Sequence, residues 1–473
     1  MKINLTAYQE HYHDKKKGKL IDNWQEGIKF LPFTSNPTSA IDKGAGLVGV
    51  TGAFFRLLSN EEVQPFEDFK KAESNVKSYL ETQRRMKEAQ AEEFVCMFRD
   101  IMIVNGALNV TDTALLKYIP LVPNDDLISE KDRKKYKAGQ MKCANLLATM
   151  IPDNASLTSK ETTNLFTRLL KEALTIGKSK IEGKKKLEEE YYILPFVQEA
   201  FNRDFKWMMG QESSVVIRYI HLLLHFYVCY IVLQTLPRLS YRQRDSKNPI
   251  NYYYMLNEER ASSNHDAVLS WKKTLPKDFL DRIYGRSQAL DILNCVLGKK
   301  VGFYPEIEDL ITKTPFEDNK SSCEELLRLY QKEKHEVFSN RSSESGSIEE
   351  IDVSLNSYDD FFEKLEILCK GLQSPSYVSR MRKKIIDLLS IRFLQKRREN
   401  YVLTLDNEML VFLIAMITKG QRVKLETMYK GFSGYGISFN RGTRNLIESH
   451  LLKLNLLDRK SDSGEAQYVK VIL

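Results

Sequence analysis

LDNEMLVFLIAMITKGQRVKLETMYKGFSGYGISFNRGTRNLIESHLLKLNLLDRKSDSGEAQYVKVIL, Leu405 to Leu473, is the stretch whose reading decides the fold. Asp406 is a suitable N-cap for a helix carrying Met409, Leu410, Phe412, Leu413, Met416 and Ile417, and Gly420 marks its stop. The spacing predicts a second helix over about Val423 to Lys430, with Val423, Leu425, Met428 and Tyr429 as its apolar residues. Gly431, Gly434 and Gly436 break the chain before Asn440, which can cap a third helix to about Asn455. On that helix Leu446, Ile447, His450, Leu451 and Leu454 share one side, while Arg441, Arg444, Asn445 and Glu448 share the other. Leu456 and Leu457 open a strand, Ser461-Asp462-Ser463-Gly464 is a turn, and Tyr468 to Ile472 is the return strand. Three helices followed by a hairpin predict a winged helix-turn-helix.

In such a module the second helix of the motif enters the major groove with its N-terminal residues nearest the base edges. Arg441, Arg444 and Asn445 fall there, and Arg suits guanine or phosphate as Asn suits adenine. Arg459 and Lys460 flank the turn of the hairpin, where a wing meets phosphate. Charge points the same way. Residues 376–473 hold 18 Lys and Arg against 9 Asp and Glu, whereas the whole chain is only +8, so the surplus is local. Arg380, Arg382, Lys383, Lys384, Arg392, Lys396, Arg397 and Arg398 form a basic stripe on the preceding predicted helix, the footprint of a polyanion partner. Arg397 and Arg398 are expected to meet phosphates of double-stranded DNA. The competing readings are a solvated helix face and a winged helix that contacts only protein.

At 473 residues the chain should hold two to four domains, and sparse Gly (22) and Pro (13) make a mainly α fold the expectation. The six cysteines are scattered with no CxxC pair, which argues against a disulfide framework or structural zinc and fits a reducing cytoplasm. The residues after Met1 are polar and basic, unlike a secretory segment. Tyr219 to Leu236 is apolar and just long enough to span a bilayer, yet it contains His221, His225 and Gln234 and has Arg on both flanks. A buried core helix, with no membrane partner, is the reading.

The predicted organisation is a mixed N-terminal segment (1–60) with an extended Ile28 to Phe33, a helical body (61–338), a Ser/Glu-rich linker (339–357), a basic helical segment (358–400) and the winged helix (401–473). Within the body, helices are expected over about Phe66 to Val104, Asp132 to Met150 and Ser159 to Ile176, the last with a Thr158–Glu161 capping box. A helix pair between Glu188 and Leu236, a strand over Ile250 to Leu256, and helices over Ser262 to Leu297 and Cys323 to Val337 follow. The linker carries the expected main domain boundary, and Ser357 can cap the helix beyond it. The fold class is thus mainly α: a multi-helix body, a small strand element and a C-terminal winged helix-turn-helix.

No catalytic constellation stands out. Gly44-Ala45-Gly46-Leu47-Val48-Gly49 spells GxGxxG, but polar residues precede it where a dinucleotide site needs a buried strand; close packing of Gly46, Gly49 and Gly52 is the expectation. His221, His225 and Cys229 lie near one helical face but lack a fourth ligand, so they read as core and no metal is assigned. Asp153 with Glu182-Gly183-Lys184 spells a nuclease-like pattern on segments that do not read as the adjacent strands this chemistry needs. His11, His13 and Asp14 read as a solvated tail. The chain is expected to be no enzyme and to need no cofactor; a protein–protein adaptor and a cryptic metal-dependent nuclease are the alternatives.

A family likeness adds to this. Leu405-Asp406-Asn407-Glu408-Met409-Leu410 followed by Ser461 to Lys470 resembles the DptG family, as does Pro249 to Leu256 with Glu259, Ser262 and Trp271-Lys272 downstream. Ala289 to Asn294 and Leu31-Pro32-Phe33 are similar too, so the likeness runs over most of the chain. The resemblance implies a bacterial restriction and antiviral-defence subunit that depends on DNA phosphorothioation and acts on unmodified DNA. It also implies ATPase partners of the same system, one DptF-like and one HerA-like (DptH). No catalytic residue carries over.

Overall fold

The computed structural model describes residues 2–13, 20, 29–41, 46–59, 69–104, 107–122, 128–152, 167–168, 191–243, 245–260, 262, 264–298, 301–339, 350–371, 374–459 and 467–472. It is mainly helical with a small strand element.

The helix Ser213–Arg238 organises the interior. Every residue from Leu222 to Arg238 is buried, so the helix is covered on all sides, as an all-apolar surface requires. Among the described residues it alone is long and apolar enough to cross a bilayer, and here protein covers it instead. Two of its buried polar residues, Gln234 and Arg238, direct the chain that follows. Arg238 donates to the carbonyls of Gln234 (2.7 Å), Asp245 (2.8 Å) and Asn248 (2.5 Å). The Gln234 amide donates to Ile250 O at 2.9 Å and accepts from Ile250 N at 2.8 Å. These bonds turn the chain back along the helix and deliver it as a strand.

Nine short strands are present among the described residues. β1 (Ile103–Val104) and β2 (Ala107–Leu108) form a small antiparallel pair. β3 (Tyr252–Leu256), β4 (Leu394–Arg397), β5 (Asn400–Leu405) and β7 (Ile437–Ser438) make a sheet of order β4-β5-β3-β7. β3 runs parallel to β5 (Tyr254 opposite Leu403) and to β7 (Tyr252 opposite Ile437), while β4 is antiparallel to β5. The run Val402-Leu403-Thr404-Leu405 is wholly buried, the pattern of an internal strand. β6 (Val423–Lys424), β8 (Leu457–Arg459) and β9 (Gln467–Val469) form a second sheet of order β6-β9-β8.

Several expectations change. The helix predicted over Phe66 to Val104 is two, Phe69–Gln83 and Glu88–Met102, separated where Arg85 takes a positive φ of 52°. Ser262 to Leu297 holds three helices, His265–Thr274, Lys277–Leu280 and Ile283–Val296, because Pro276 cannot continue the first. The basic helical segment is also broken. Its helix, Pro375–Ser390, ends before a β4–β5 hairpin that carries Lys396, Arg397 and Arg398. Of the linker, 340–349 lies outside the described residues, but Ile351 N bonds Gln331 Oε1 (3.3 Å) and Leu355 N bonds Glu324 Oε1 (3.1 Å), so that portion is fastened to the helix Phe316–Ser339. One apolar cluster, from Ile3 to Val469, includes residues on both sides of it. Ser357 does cap the next helix, accepting from Asp360 N at 3.1 Å. Ser159 to Ile176 and its capping box fall almost wholly outside the described residues.

Gly49 and Gly52 behave as the packing reading requires. A Cβ on either would collide with a backbone carbonyl, of Leu121 and Ile119 respectively, whereas Gly46 supplies a positive φ in open space. Of the residues read as a possible metal set, His225 is 8% exposed and sits edge-on to Phe393, and Cys229 is buried. Burial, reinforced by Arg392 and His221, pulls the His225 imidazole down to about 3. Between about pH 6.5 and 3 the unfolded chain therefore binds a proton that the folded chain refuses, and stability falls as the pH falls. Each pH unit in that window is worth about 1.4 kcal/mol. Urea unfolding at pH 7 and pH 5 should show a smaller acid-side loss in His225→Leu than in the parent; identical losses would mean that His225 accepts the proton in the fold.

Candidate nucleic-acid interface

The C-terminal residues assemble from local signals. Asp406 caps the helix Asn407–Thr418, accepting from Met409 N at 2.8 Å, and its carboxylate also holds Arg392 (2.7 Å). Lys419 (φ 49°) and Gly420 (φ 73°) end that helix in the left-handed region. The next helix is Leu425–Gly434, longer than predicted. Gly431 does not stop it; it lies inside because a Cβ there would strike the Ile417 side chain. Val423, read as helix, is in β6, which pairs with β9 (Val423 opposite Val469). Asn440 caps the helix Arg441–Lys453 by accepting from Thr443 N at 2.9 Å. β8 and β9 close the element antiparallel, and Lys460 to Ala466, with the predicted turn, lie outside the described residues.

The last helix buries Thr443, Ile447 and Leu451, not the full apolar set read from the sequence. Leu446 and Leu454 are exposed, and His450 Nε2 lies 2.6 Å from a Glu258 carboxylate oxygen. The reason is a polar anchor. The Thr443 hydroxyl meets Glu259 (3.0 Å) and Asn264 (2.8 Å), so a hydroxyl starts the inward stripe that apolar spacing alone would not include. Arg441 and Asn445 remain exposed on the first turns. Arg444 is exposed too, but its Nε donates to Phe439 O (3.1 Å) and its guanidinium lies over the Tyr429 ring at 4.8 Å.

Much of the basic stripe is used internally. Arg382 pairs with Asp281, and Arg392 with Asp406 and Glu408. Lys384 is buried against the carbonyls of Thr34 (2.8 Å) and Asn36 (2.5 Å), where burial brings its ammonium down to about 8. Arg397 is half-buried and donates to Asn257 O at 2.6 Å, so it is not the free phosphate contact expected of it. Lys383, Lys396, Arg398, Lys424, Arg441 and Lys453 are exposed, and no ion pair engages them among the described residues. Arg398 occupies the hairpin turn with φ 54°, at the opposite edge of the four-stranded sheet from β7 and the last helix. Arg459 lies in β8, opposite Gln467.

A second buried carboxylate, besides Glu259, ties this region to the body. Asp204, fully buried on the helix Pro195–Met209, receives Tyr227 (2.7 Å) and Tyr435 hydroxyls, Arg203 (3.0 Å) and Lys419 (3.0 Å). Tyr435 and Lys419 come from the C-terminal region, Tyr227 from the central helix. No sequence motif marks this set, since Lys419 and Tyr435 lie more than two hundred residues beyond Asp204.

The other patterns fare differently. Asp153 and Glu182, with Lys184, lie outside the described residues, as do Gly44 and Ala45. His11 and His13 are not a solvated tail: the helix Leu5–Tyr12 packs on the body, with Tyr8 hydroxyl (2.9 Å) and His13 Nε2 (2.8 Å) on Glu333, and Tyr12 on Asp291. No protein-family model matches this chain, and no curated protein matches it.

Truncating Asp204 leaves the buried Tyr227 and Tyr435 hydroxyls without their acceptor and removes the counter-charge of the partly exposed Arg203 and Lys419. Asp204→Ala should cost about 3–5 kcal/mol in chemical denaturation, and Tyr435→Phe roughly 1–3 kcal/mol. An unshifted midpoint in Asp204→Ala would show that the carboxylate does not couple the two parts.

Proposed function

We propose that residues from Asn407 to Val469 form a winged helix-turn-helix and that the chain is a non-catalytic, cytoplasmic DNA-binding and scaffolding subunit. The order helix, β6, helix, helix, β8, β9, with β9 central between β6 and β8 and the two-residue β7 between the last two helices given to the body's sheet, supports the winged reading. The single observation that carries DNA contact is the exposed first turns of the last helix, where Arg441 and Asn445 stand free of internal partners in the described structure. Arg444, held against Tyr429, would present a pre-ordered edge, and Arg398, Arg459 and Lys460 are the candidate phosphate contacts. The resemblance to the DptG family gives the context proposed: restriction of DNA lacking the phosphorothioate mark, beside DptF-like and HerA-like ATPase partners.

A protein–protein adaptor is the second reading, and one observation favours it. Leu446, Leu452, Leu454 and Val471 are exposed in the same region, Leu454 to 54%. Groove-facing surfaces gain little from such side chains, whereas protein partners do.

The two readings separate in a salt titration of the full chain on duplex DNA. Each neutralised phosphate steepens the log–log dependence of affinity on salt by about 0.9. Arg398→Ala should make the slope shallower by about that much, and Arg441→Ala together with Asn445→Ala should weaken binding about tenfold or more. Arg397→Ala should leave the slope alone. DNA affinity indifferent to Arg441, Asn445 and Arg398 leaves the adaptor reading standing.

A further inference from the structure

A cleft of about 320 Å³ opens far from the last helix in sequence, between the helices Ile283–Val296 and Tyr358–Gly371 and the turn after the central helix. It is lined by four cations, Arg242, Arg282, Arg286 and Lys370, and by two carboxylates, Glu363 and Glu366. Gly285 makes this possible. A Cβ there would stand 2.8 Å from Lys370 N and 2.9 Å from the Cys369 carbonyl, so only glycine lets the two helices approach closely enough to bring Lys370 beside Arg282 and Arg286.

Both carboxylates are already engaged. Glu366 accepts from Tyr241 N at 2.6 Å and from Arg286 Nε at 3.2 Å, and Glu363 lies 3.3 Å from Arg242. The four cations outnumber them, and only Arg242 and Arg286 are paired among the described residues. Arg286 is 8% exposed, its guanidinium is stacked 4.3 Å from the Phe279 ring centre, and its Nη1 is buried with no hydrogen-bond partner among the described residues. A buried unsatisfied guanidinium donor is costly, and the side chain that carries it lines this polar cleft, where a bound acceptor would relieve the cost. Arg282 and Lys370 are exposed at the same cleft and have no ion pair among the described residues.

We propose that this cleft binds a small phosphate-bearing molecule, with the Arg286 guanidinium as the fixed cation and Arg282 and Lys370 closing on the outer oxygens. The lining carries two more cations than carboxylates, which matches a dianionic phosphate better than a monoanionic carboxylate. Guanidinium groups suit its tetrahedral oxygens. The cleft has the volume of about ten waters, at the small end of ligand pockets, so the ligand extends beyond one phosphate group. This site stands independently of the DNA reading, because no residue of the last helix contributes to it.

Calorimetric titration of the full chain with inorganic pyrophosphate at low salt, with acetate as the control anion, tests it. Saturable pyrophosphate binding with sub-millimolar Kd is expected, with acetate silent. The double variant Arg282→Ala, Lys370→Ala, which alters exposed side chains only, should weaken binding at least tenfold. Arg286→Gln should abolish it; should that variant misfold, the double variant carries the test alone. Absent pyrophosphate binding, or binding unchanged in the double variant, overturns the proposal. So does a double variant that weakens duplex DNA while the parent ignores pyrophosphate, since the cleft would then belong to a nucleic-acid surface.

Discussion

A helix with no polar face has to be enclosed, and the stretch from Leu222 to Arg238 imposes that condition on the rest of the chain. Water cannot serve its surface, so the helices before and after it, β3 and the C-terminal helices supply the covering. The two polar groups near its end, Gln234 and Arg238, satisfy the backbone of the returning segment and so set where β3 begins. β3 then recruits β5 on one side and β7 on the other, although those strands come from more than 140 residues later. A core helix and a pair of parallel registers thereby decide how the end of the chain is held.

The consequence for function is that the C-terminal region does not hang from the body on a tether. β5 and β7 belong to the body's sheet, Tyr435 and Lys419 converge on Asp204, and Thr443 is bonded to Glu259 and Asn264. A surface presented by the last helix is therefore rigidly coupled to the helical body. That would suit the DNA-binding and scaffolding role proposed above. The same coupling occupies side chains: Arg382, Lys384, Arg392 and Arg397 hold the structure together, so fewer of this region's cations are free to meet a polyanion than its count of Lys and Arg suggests.

The cleft beside Arg286 shows the reverse accounting. No motif marks its sequence neighbourhood, yet close helix contact at Gly285 gathers cations from three separate segments. Local charge counts find stripes along the chain; they do not find sites assembled across it.

By itself the sequence determined the elements whose causes are local. Asp406 and Asn440 cap helices because an Asx side chain reaches the backbone N–H three residues on, and both caps are where the residues indicate. The apolar run around Tyr219 to Leu236 marked a buried helix, and the aromatic run at Tyr252 to Leu256 marked a strand. Gly49 and Gly52 announced close packing. Tertiary structure alone decided the rest. Val423 became strand because β9 arrives to pair with it, and Leu446 and Leu454 stayed outside because Thr443 found Glu259 within the body. Lys396 to Arg398 left the helix for a hairpin because β5 had a partner in β3. Pairing and burial depend on groups distant along the chain, and no local periodicity encodes which distant group will be there.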